Sequence, residues 1–271
     1  MSESFRPPVT KIATLAGHRD AVYALTGGTG GAVYSGSADG MVVGWDTTDP
    51  TRDGELLARV QNSVYALRHL PELGLLVLGH NFQGIQAIDL SQKQLVHATA
   101  LPPVAIFEIV FSESRQRLYV ALGDGTLAVL TVPDFRLEKL LRLADKSLRC
   151  LALHEGRSEL AVGSSDTFVR ILDLDSLEVK CLLGESTNSV FSVAYSLDGT
   201  RLLTAGRDAQ IRTWDVATGY TLTGSVPAHM YTINHLAFSP DGRYLASCSL
   251  DKSIKLWDAT TLTLLRVLDR A

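Results

Sequence analysis

The chain contains three tryptophans, and each is followed by aspartate: Trp45-Asp46, Trp214-Asp215 and Trp257-Asp258. Trp214 and Trp257 are 43 residues apart. Stepping back from Trp214 by 42 or 43 residues at a time reaches Leu172-Asp173, Leu130-Thr131, Ile88-Asp89 and then Trp45. A period held across six positions constrains the fold more than any other feature of the chain. Each unit is too short to bury its own apolar face and must bury it against its neighbours.

Within each unit the local pattern repeats. A first alternating stretch reads as a strand: AVYAL, SVYAL, AIFEIVF, SLRCLAL, SVFSVAY and TINHLAF. A turn such as SLDGT or SPDGR follows. A second strand (AVYSGS, LLVLGH, LYVALG, LAVGSS, LLTAGR, LASCSL) then passes through a tight turn into a third (MVVGWD, IQAID, TLAVL, FVRILD, QIRTWD, SIKLWD). A fourth strand leads into the next unit, and no segment has a helical period. The expected fold is therefore all-β, with four strands per unit. With 46% apolar and 20% charged residues the composition is that of a globular chain.

The sequence resembles the WD-repeat β-propeller family over residues 10–271, with residues 1–9 read as an N-terminal tail. The motifs that carry the resemblance are AGH (16–18), GWD (44–46) and SPDGRYLASCSLDKSIKLWD (239–258). Units 2, 3 and 4 depart from the pattern, lacking both the tryptophan and a histidine at the expected place. The resemblance implies a propeller of four-stranded antiparallel blades. It also implies a structural hydrogen-bond network in each complete unit: His18, Ser35, Asp39 and Trp45 in unit 1, and His229, Ser247, Asp251 and Trp257 in unit 6. Unit 5 has Thr204, Asp208 and Trp214 but Ser186 near the histidine position. Indole N–H only donates, ionised carboxylate only accepts, and hydroxyl and imidazole do both, so a chain from Trp through Ser or Thr and His to Asp is satisfiable. Where the tryptophan is missing the hydroxyl is missing too, and Leu78, Val120 and Val162 stand in its column.

One column is not explained by folding alone. Tyr23, Tyr65, Phe107, Arg149, Phe191 and Asn234 each follow the first buried residue of a first strand, and alternation turns them away from Val22, Val64, Ile106, Leu148, Val190 and Ile233. By the resemblance this position surrounds the mouth of the central channel on the partner-binding face. Aromatics and arginine are the residues that anchor protein interfaces. A second surface column holds Ala38, Asn81, Gly123, Ser165, Arg207 and Leu250, and Arg149 with Arg207 would offer a positive spot to an acidic group. The expected function is a non-catalytic interaction scaffold for a protein or peptide partner.

The alternative is a propeller hydrolase or lactonase with its site at the channel. Such an enzyme would gather Asp, Glu, Asn and His there, whereas this column supplies only Asn234 as an oxygen ligand. No catalytic set, metal site or cofactor is expected, nor a small-molecule ligand. His69, His80, His97, His154 and His235 show no metal-binding spacing, and Cys150, Cys181 and Cys248 form no C-x2-C pair. GTGG (28–31) reads as a hairpin turn rather than a phosphate cradle. Asp173 and Asp175 lie at strand ends, which favours turn roles. A net charge of −4 supplies no basic field for nucleic acid. No apolar run approaches the ~20 residues that cross a bilayer, so a cytoplasmic location without membrane association is expected.

The segment TKIATLAGH (10–18) resembles YTLTGSVPAH (220–229), which reads as an extra fourth strand ahead of unit 1. Two expectations follow: a seven-bladed design lacking most of its last blade, or a six-bladed ring with a redundant strand. The first is favoured, because the residues after Leu268 read as the lead-in to another unit.

Overall fold

The computed structural model describes residues 8–269. It contains six four-stranded antiparallel sheets, each ordered first to fourth strand as in the sequence, and these make a six-bladed β-propeller rather than the seven-bladed design favoured from the sequence. Blade 1 covers residues 22–59, blade 2 64–99, blade 3 106–142, blade 4 148–183, blade 5 190–227 and blade 6 233–269. Apart from two 3-10 turns, Pro71–Leu73 and Glu155–Arg157, every described element is a strand. The chain divides into two compact units: residues 12–148 form one, and residues from Arg149 onward, together with the segment up to Lys11, form the other.

Packing follows one rule in both units. Small residues on the trailing face of one blade accept large residues on the leading face of the next. Ala24 and Val42 of blade 1 meet Val64, Leu67, Leu76 and Leu78 of blade 2. Leu203, Ala205 and Ile211 of blade 5 meet Ile233, Leu236, Leu245 and Trp257 of blade 6. The fit is close enough to require glycine: a Cβ on Gly36 would stand 2.6 Å from Val64 Cγ1, and one on Gly79 would stand 2.4 Å from Ile106 Cγ2. The same column holds Ala121, Gly163, Ala205 and Cys248.

Two blade faces escape this rule. On the leading face of blade 1, Val22 is 46% exposed and Leu25 69% exposed, while their counterparts in blade 2, Val64 and Leu67, are 0% and 6% exposed. On the trailing face of blade 6, Ile254 is 46% exposed, while its counterpart in blade 5, Ile211, is fully buried. Cys248, the bulkiest residue of the glycine column, lies on this open face.

The extra strand read over 10–18 is not formed. Residues 8–21 carry no strand, and Ile12 is 85% exposed. A strand exists only through its ladder, and each third strand already pairs with its own fourth, as Met41–Asp46 does with Glu55–Arg59. Among the described residues no third-strand edge is left free for the segment to join. Most of the tail read over 1–9, and the residues after Asp269 read as a lead-in, lie outside the described residues. GTGG (28–31) is the turn between the first two strands of blade 1, with Gly30 and Gly31 at φ 63° and 84°.

Candidate functional site

The network residues come together as their types dictate. In blade 6, Trp257 Nε1 donates to Ser247 Oγ (2.9 Å), the Ser247 hydroxyl lies 2.7 Å from His229 Nε2, and His229 Nδ1 lies 2.9 Å from Asp251. In blade 1, Trp45 Nε1 and His18 Nε2 each lie 2.7 Å from Ser35 Oγ, and His18 Nδ1 reaches Asp39 at 3.2 Å. With the indole donating, the serine hydroxyl donates to Nε2 and Nδ1–H donates to the carboxylate. Burial alone would raise the Asp39 pKa. The amides of Arg19 and Met41, with His18 and Ser37, outweigh it and hold Asp39 at about 2.

These are the residue types of a hydrolytic triad, but Ser35 and Ser247 are sealed at 2% and 0% exposure and each accepts an indole proton. Neither hydroxyl can meet a substrate.

Blade 5 keeps Trp214 Nε1 to Thr204 Oγ1 at 3.0 Å without a histidine. Its aspartate is engaged by an arginine four residues on, Asp208 with Arg212 at 2.8 Å. Blade 4 repeats the device with Asp166 and Arg170 at 2.6 Å. The sequence carried the signal as D-x3-R in both units, away from the position where histidine was sought. Asp46, Asp89, Asp173 and Asp258 each accept turn amides, for example Asp175 N at 3.0 Å and Ser176 N at 2.9 Å on Asp173. That is the turn role read for Asp173.

The surface column is aimed by a device that alternation does not describe. In the first strand of blade 1 (Val22–Gly27), the ladder steps from Val22 opposite Ser37 to Ala24 opposite Gly36 and passes over Tyr23. The same slip passes over Tyr65 in Val64–Leu70, Phe107 in Ile106–Ser112, Phe191 in Val190–Tyr195 and Asn234 in Ile233–Phe238. Each is a β-bulge residue, left out of the ladder and turned from the strand by local overtwist.

In the N-terminal unit the bulges stack three rings. Tyr23 and Tyr65 have centroids 4.6 Å apart with planes tilted by 32°, and Tyr65 and Phe107 are 5.6 Å apart at 52°. Tyr23 is half exposed and the other two are half-buried. In the C-terminal unit the Arg149 guanidinium lies 5.3 Å above the centre of the Phe191 ring, and Arg149 Nε donates to Ser165 Oγ (2.9 Å). Arg207 is exposed on the tight turn of blade 5. Asn234 is exposed and joins neither group through a ring or hydrogen-bond contact among the described residues.

Two features of this face were missed in the sequence. Phe82 occupies the turn position held by aspartate in the other five units and stands 59% exposed at φ 73°. It adds an aromatic at the same end of blade 2 as Tyr65. Ser63, Ser147 and Ser189 each precede a first strand and donate to the turn carbonyl of the preceding blade: Ala38 O (3.4 Å), Gly123 O (2.7 Å) and Ser165 O (3.5 Å). A serine at one fixed offset in three units was the available signal. These bonds tie the turns of the face to the blades beside them.

Elsewhere an open cavity of ≈ 400 Å³ touches Trp45 and Leu57, with Asp46, Asp53 and Glu55 at its rim. Asp46 and Glu55 are already paired with Arg52 and Lys93. No group of three His, Cys, Asp or Glu side chains among the described residues has metal-binding geometry. No helix there is long and apolar enough to cross a membrane.

Residues 9–46, 177–215 and 220–258 match the family described as WD domain, G-beta repeat. These are the three stretches that end in Trp-Asp. The chain is 31% identical over 131 residues to the WD repeat-containing protein SL1-17 of Schistosoma mansoni, spanning 48% of this chain and 43% of that protein. It is 26% identical over 212 residues to Periodic tryptophan protein 2 of Saccharomyces cerevisiae, spanning 77% and 21%. With pre-mRNA-processing factor 19 of Bos taurus it shares 26% over 157 residues, spanning 57% and 31%. The chain thus spans less than half the length of these curated relatives. Among solved structures, the WD40 β-propeller domain of Doa1 superposes with a TM-score of 0.82 over 95% of this chain and 85% of that one. At 19% identity this likeness bears on the fold alone.

Proposed function

Because this chain belongs to the WD-repeat β-propeller family, we propose that it is a non-catalytic interaction scaffold whose bulge-bearing face binds a protein or peptide. The observation that carries the reading is the bulge column itself. Bulges interrupt a ladder at a cost in pairing, and here they recur at one position to hold Tyr23, Tyr65, Phe107 and Phe191 on one end of the blades. Rigid aromatics lose little conformational freedom on docking, so residues held this way suit an interface. The contacting residues are Tyr23, Tyr65, Phe107, Arg149, Phe191, Asn234 and Arg207.

A protein partner fits this face better than nucleic acid, since a chain of net charge −4 attracts phosphate poorly. The three cysteines form no disulfide among the described residues, which suits a reducing compartment such as the cytoplasm. The test replaces Tyr23, Tyr65 and Phe191 by alanine and measures melting and partner capture on the same preparations. Binding lost with the fold retained supports the reading. Stability lost with binding unchanged would make the rings channel filling and sink it.

A further inference from the structure

We propose that blade 1 carries a second interaction surface, distinct from the bulge-bearing face, which takes a basic segment of a protein partner through an arginine side chain. The surface is the open cavity of ≈ 400 Å³ beside Leu57.

The cavity lies within the unit of residues 12–148, where blades 1 and 2 meet. Tyr23 stands near the start of the first strand of blade 1, and the turn 28–31 lies beyond that strand's other end. The cavity and the bulge are therefore at opposite ends of the blade. Thr47 N and Thr47 Oγ1 both donate to Gly31 O (3.0 and 2.6 Å), which joins this turn to the loop 47–54 between the third and fourth strands. Leu90, just after the third strand of blade 2, completes the wall, and its amide donates to Gly74 O (3.0 Å) at the end of the 3-10 turn Pro71–Leu73. Ala32, Tyr34, Leu57 and Leu90 supply apolar lining. Gly44 keeps that lining apart from any third-strand side chain. The other five units carry Ala87, Val129, Ile171, Thr213 and Leu256 in its column. A Cβ on Gly44 would already stand 3.3 Å from Leu57 Cδ1 and 3.6 Å from Tyr34 Cδ1, so a larger side chain would press on both.

The segments that meet here, 28–34, 44–57, 71–74 and 89–93, carry six carboxylates and two cations. The cations are Arg52, which pairs with Asp46 at 3.7 Å, and Lys93, which pairs with Glu55. Asp49, Asp53, Glu72 and Asp89 make up the rest and form no ion pair among the described residues. Neutral hydroxyls and amides bond some of these groups but leave them their charge: the Thr48 hydroxyl lowers the pKa of Asp46, and the Ser91 hydroxyl that of Asp89. His69, its ring 5.4 Å from that of Tyr34, has its pKa lowered by burial and adds no cation near neutral pH. Asp53, on the cavity rim, is exposed and has neither an ion pair nor a hydrogen bond among the described residues.

An excess of carboxylate around an apolar recess selects a cation carried on an apolar stem. At ≈ 400 Å³ the cavity is at the small end of ligand-sized clefts, about 300–1,000 Å³, and suits one long side chain. Arginine matches it best. Its stem suits Leu57 and Leu90, its planar group stacks on a ring such as Tyr34, and its fork pairs with a carboxylate through two charge-assisted hydrogen bonds. Asp53 is the carboxylate left to take it. An acidic peptide is repelled by the same charges, as is a phosphate backbone.

The test uses the whole chain and fluorescein-labelled peptides of equal length. One places arginines among glycine and serine, a second replaces each arginine by diaminobutyrate, which carries the same charge on a two-carbon stem, and a third replaces it by glutamate. Anisotropy titrations at about 50 and about 300 mM NaCl read the electrostatic part, which screening weakens. The arginine peptide is expected to bind with a Kd of about 100 μM or tighter at the lower salt, and at least about fivefold more tightly than the short-stemmed one. The glutamate peptide is expected not to bind. Asp53→Lys should weaken the arginine peptide by about tenfold or more, whereas Glu185→Lys, the same change of charge in the other unit, should weaken it by less than about twofold. Melting should be unchanged in both variants because both side chains are exposed. No saturable binding overturns the proposal, as does equal affinity for the two basic peptides. Equal losses in Asp53→Lys and Glu185→Lys also overturn it, since the net charge of the chain rather than this cavity would then attract the peptide.

Discussion

Leu25 and Leu67 occupy the same position in consecutive blades, and alanine at each tests whether the leading face of blade 1 is open in solution. Leu67 is 6% exposed among Ala24, Val42, Val64, Leu76 and Leu78, so Leu67→Ala removes buried methylenes and leaves a cavity. Substitutions of that kind cost about 3 kcal/mol or more. Leu25 is 69% exposed, so less than a third of its surface is out of water. With full burial of a leucine worth about 1.5–3 kcal/mol, Leu25→Ala should cost about 0.5–1 kcal/mol. The expected gap is about 2 kcal/mol, a factor of roughly 30 in the unfolding equilibrium. Urea unfolding followed by tryptophan fluorescence and by circular dichroism measures both variants, and coincident transitions justify comparing the free energies. Leu236→Ala, at 2% exposure in the other unit, is the control and should resemble Leu67→Ala. A loss for Leu25→Ala equal to that for Leu67→Ala would refute the open face and show Leu25 to be buried in solution.

In blade 5, Thr204→Val strands the buried indole N–H of Trp214 and should cost about 1–3 kcal/mol, while adding Trp214→Phe should recover part of the loss. Strict additivity in that double-mutant cycle would remove the argument for why Leu78, Val120 and Val162 replace the hydroxyl where tryptophan is absent. Gly79→Ala drives a methyl against Ile106 and should cost about 1–3 kcal/mol, whereas Cys248→Val, in the same column on the open face of blade 6, should cost under about 1 kcal/mol. Equal losses would mean that both faces are packed. Glu108 has its pKa pushed up to about 7 by burial, against the Ile109 amide and the Arg68 charge, which lower it. The folded chain holds that proton to higher pH than the unfolded chain. The contribution to stability is therefore full below the ordinary 4.5 and is lost as pH rises to about 7. Glu108→Gln cannot ionise and should exceed the parent in stability at pH 8 while matching it near pH 4.5; parallel stability curves over that range would contradict the shift.

The repeat, the four strands of each unit and the hydrogen-bonded quartet were legible because they follow from local rules. Alternation marks a half-buried strand, and the donor and acceptor properties of Trp, Ser, His and Asp admit one satisfied order. The six surface positions were legible as a column, although the reason for their direction was not. Alternation set Tyr23 apart from Val22, but the bulge that takes Tyr23 out of the ladder depends on which residue of the neighbouring strand each partner meets. Phe82 was visible as a departure from aspartate without its exposure, and Arg170 and Arg212 were hidden because the missing histidine drew attention to a different position.

The sequence by itself determined the period, the strand order within a blade and which side chains satisfy one another, since these depend on residues at fixed, short offsets. The tertiary structure alone decided which faces are covered, that residues 10–18 find no edge to pair with, and that Leu25 and Leu67 have opposite environments. Burial and ladder pairing are properties of a neighbour in space. Two residues with the same local sequence cannot differ in them until that neighbour is present or absent.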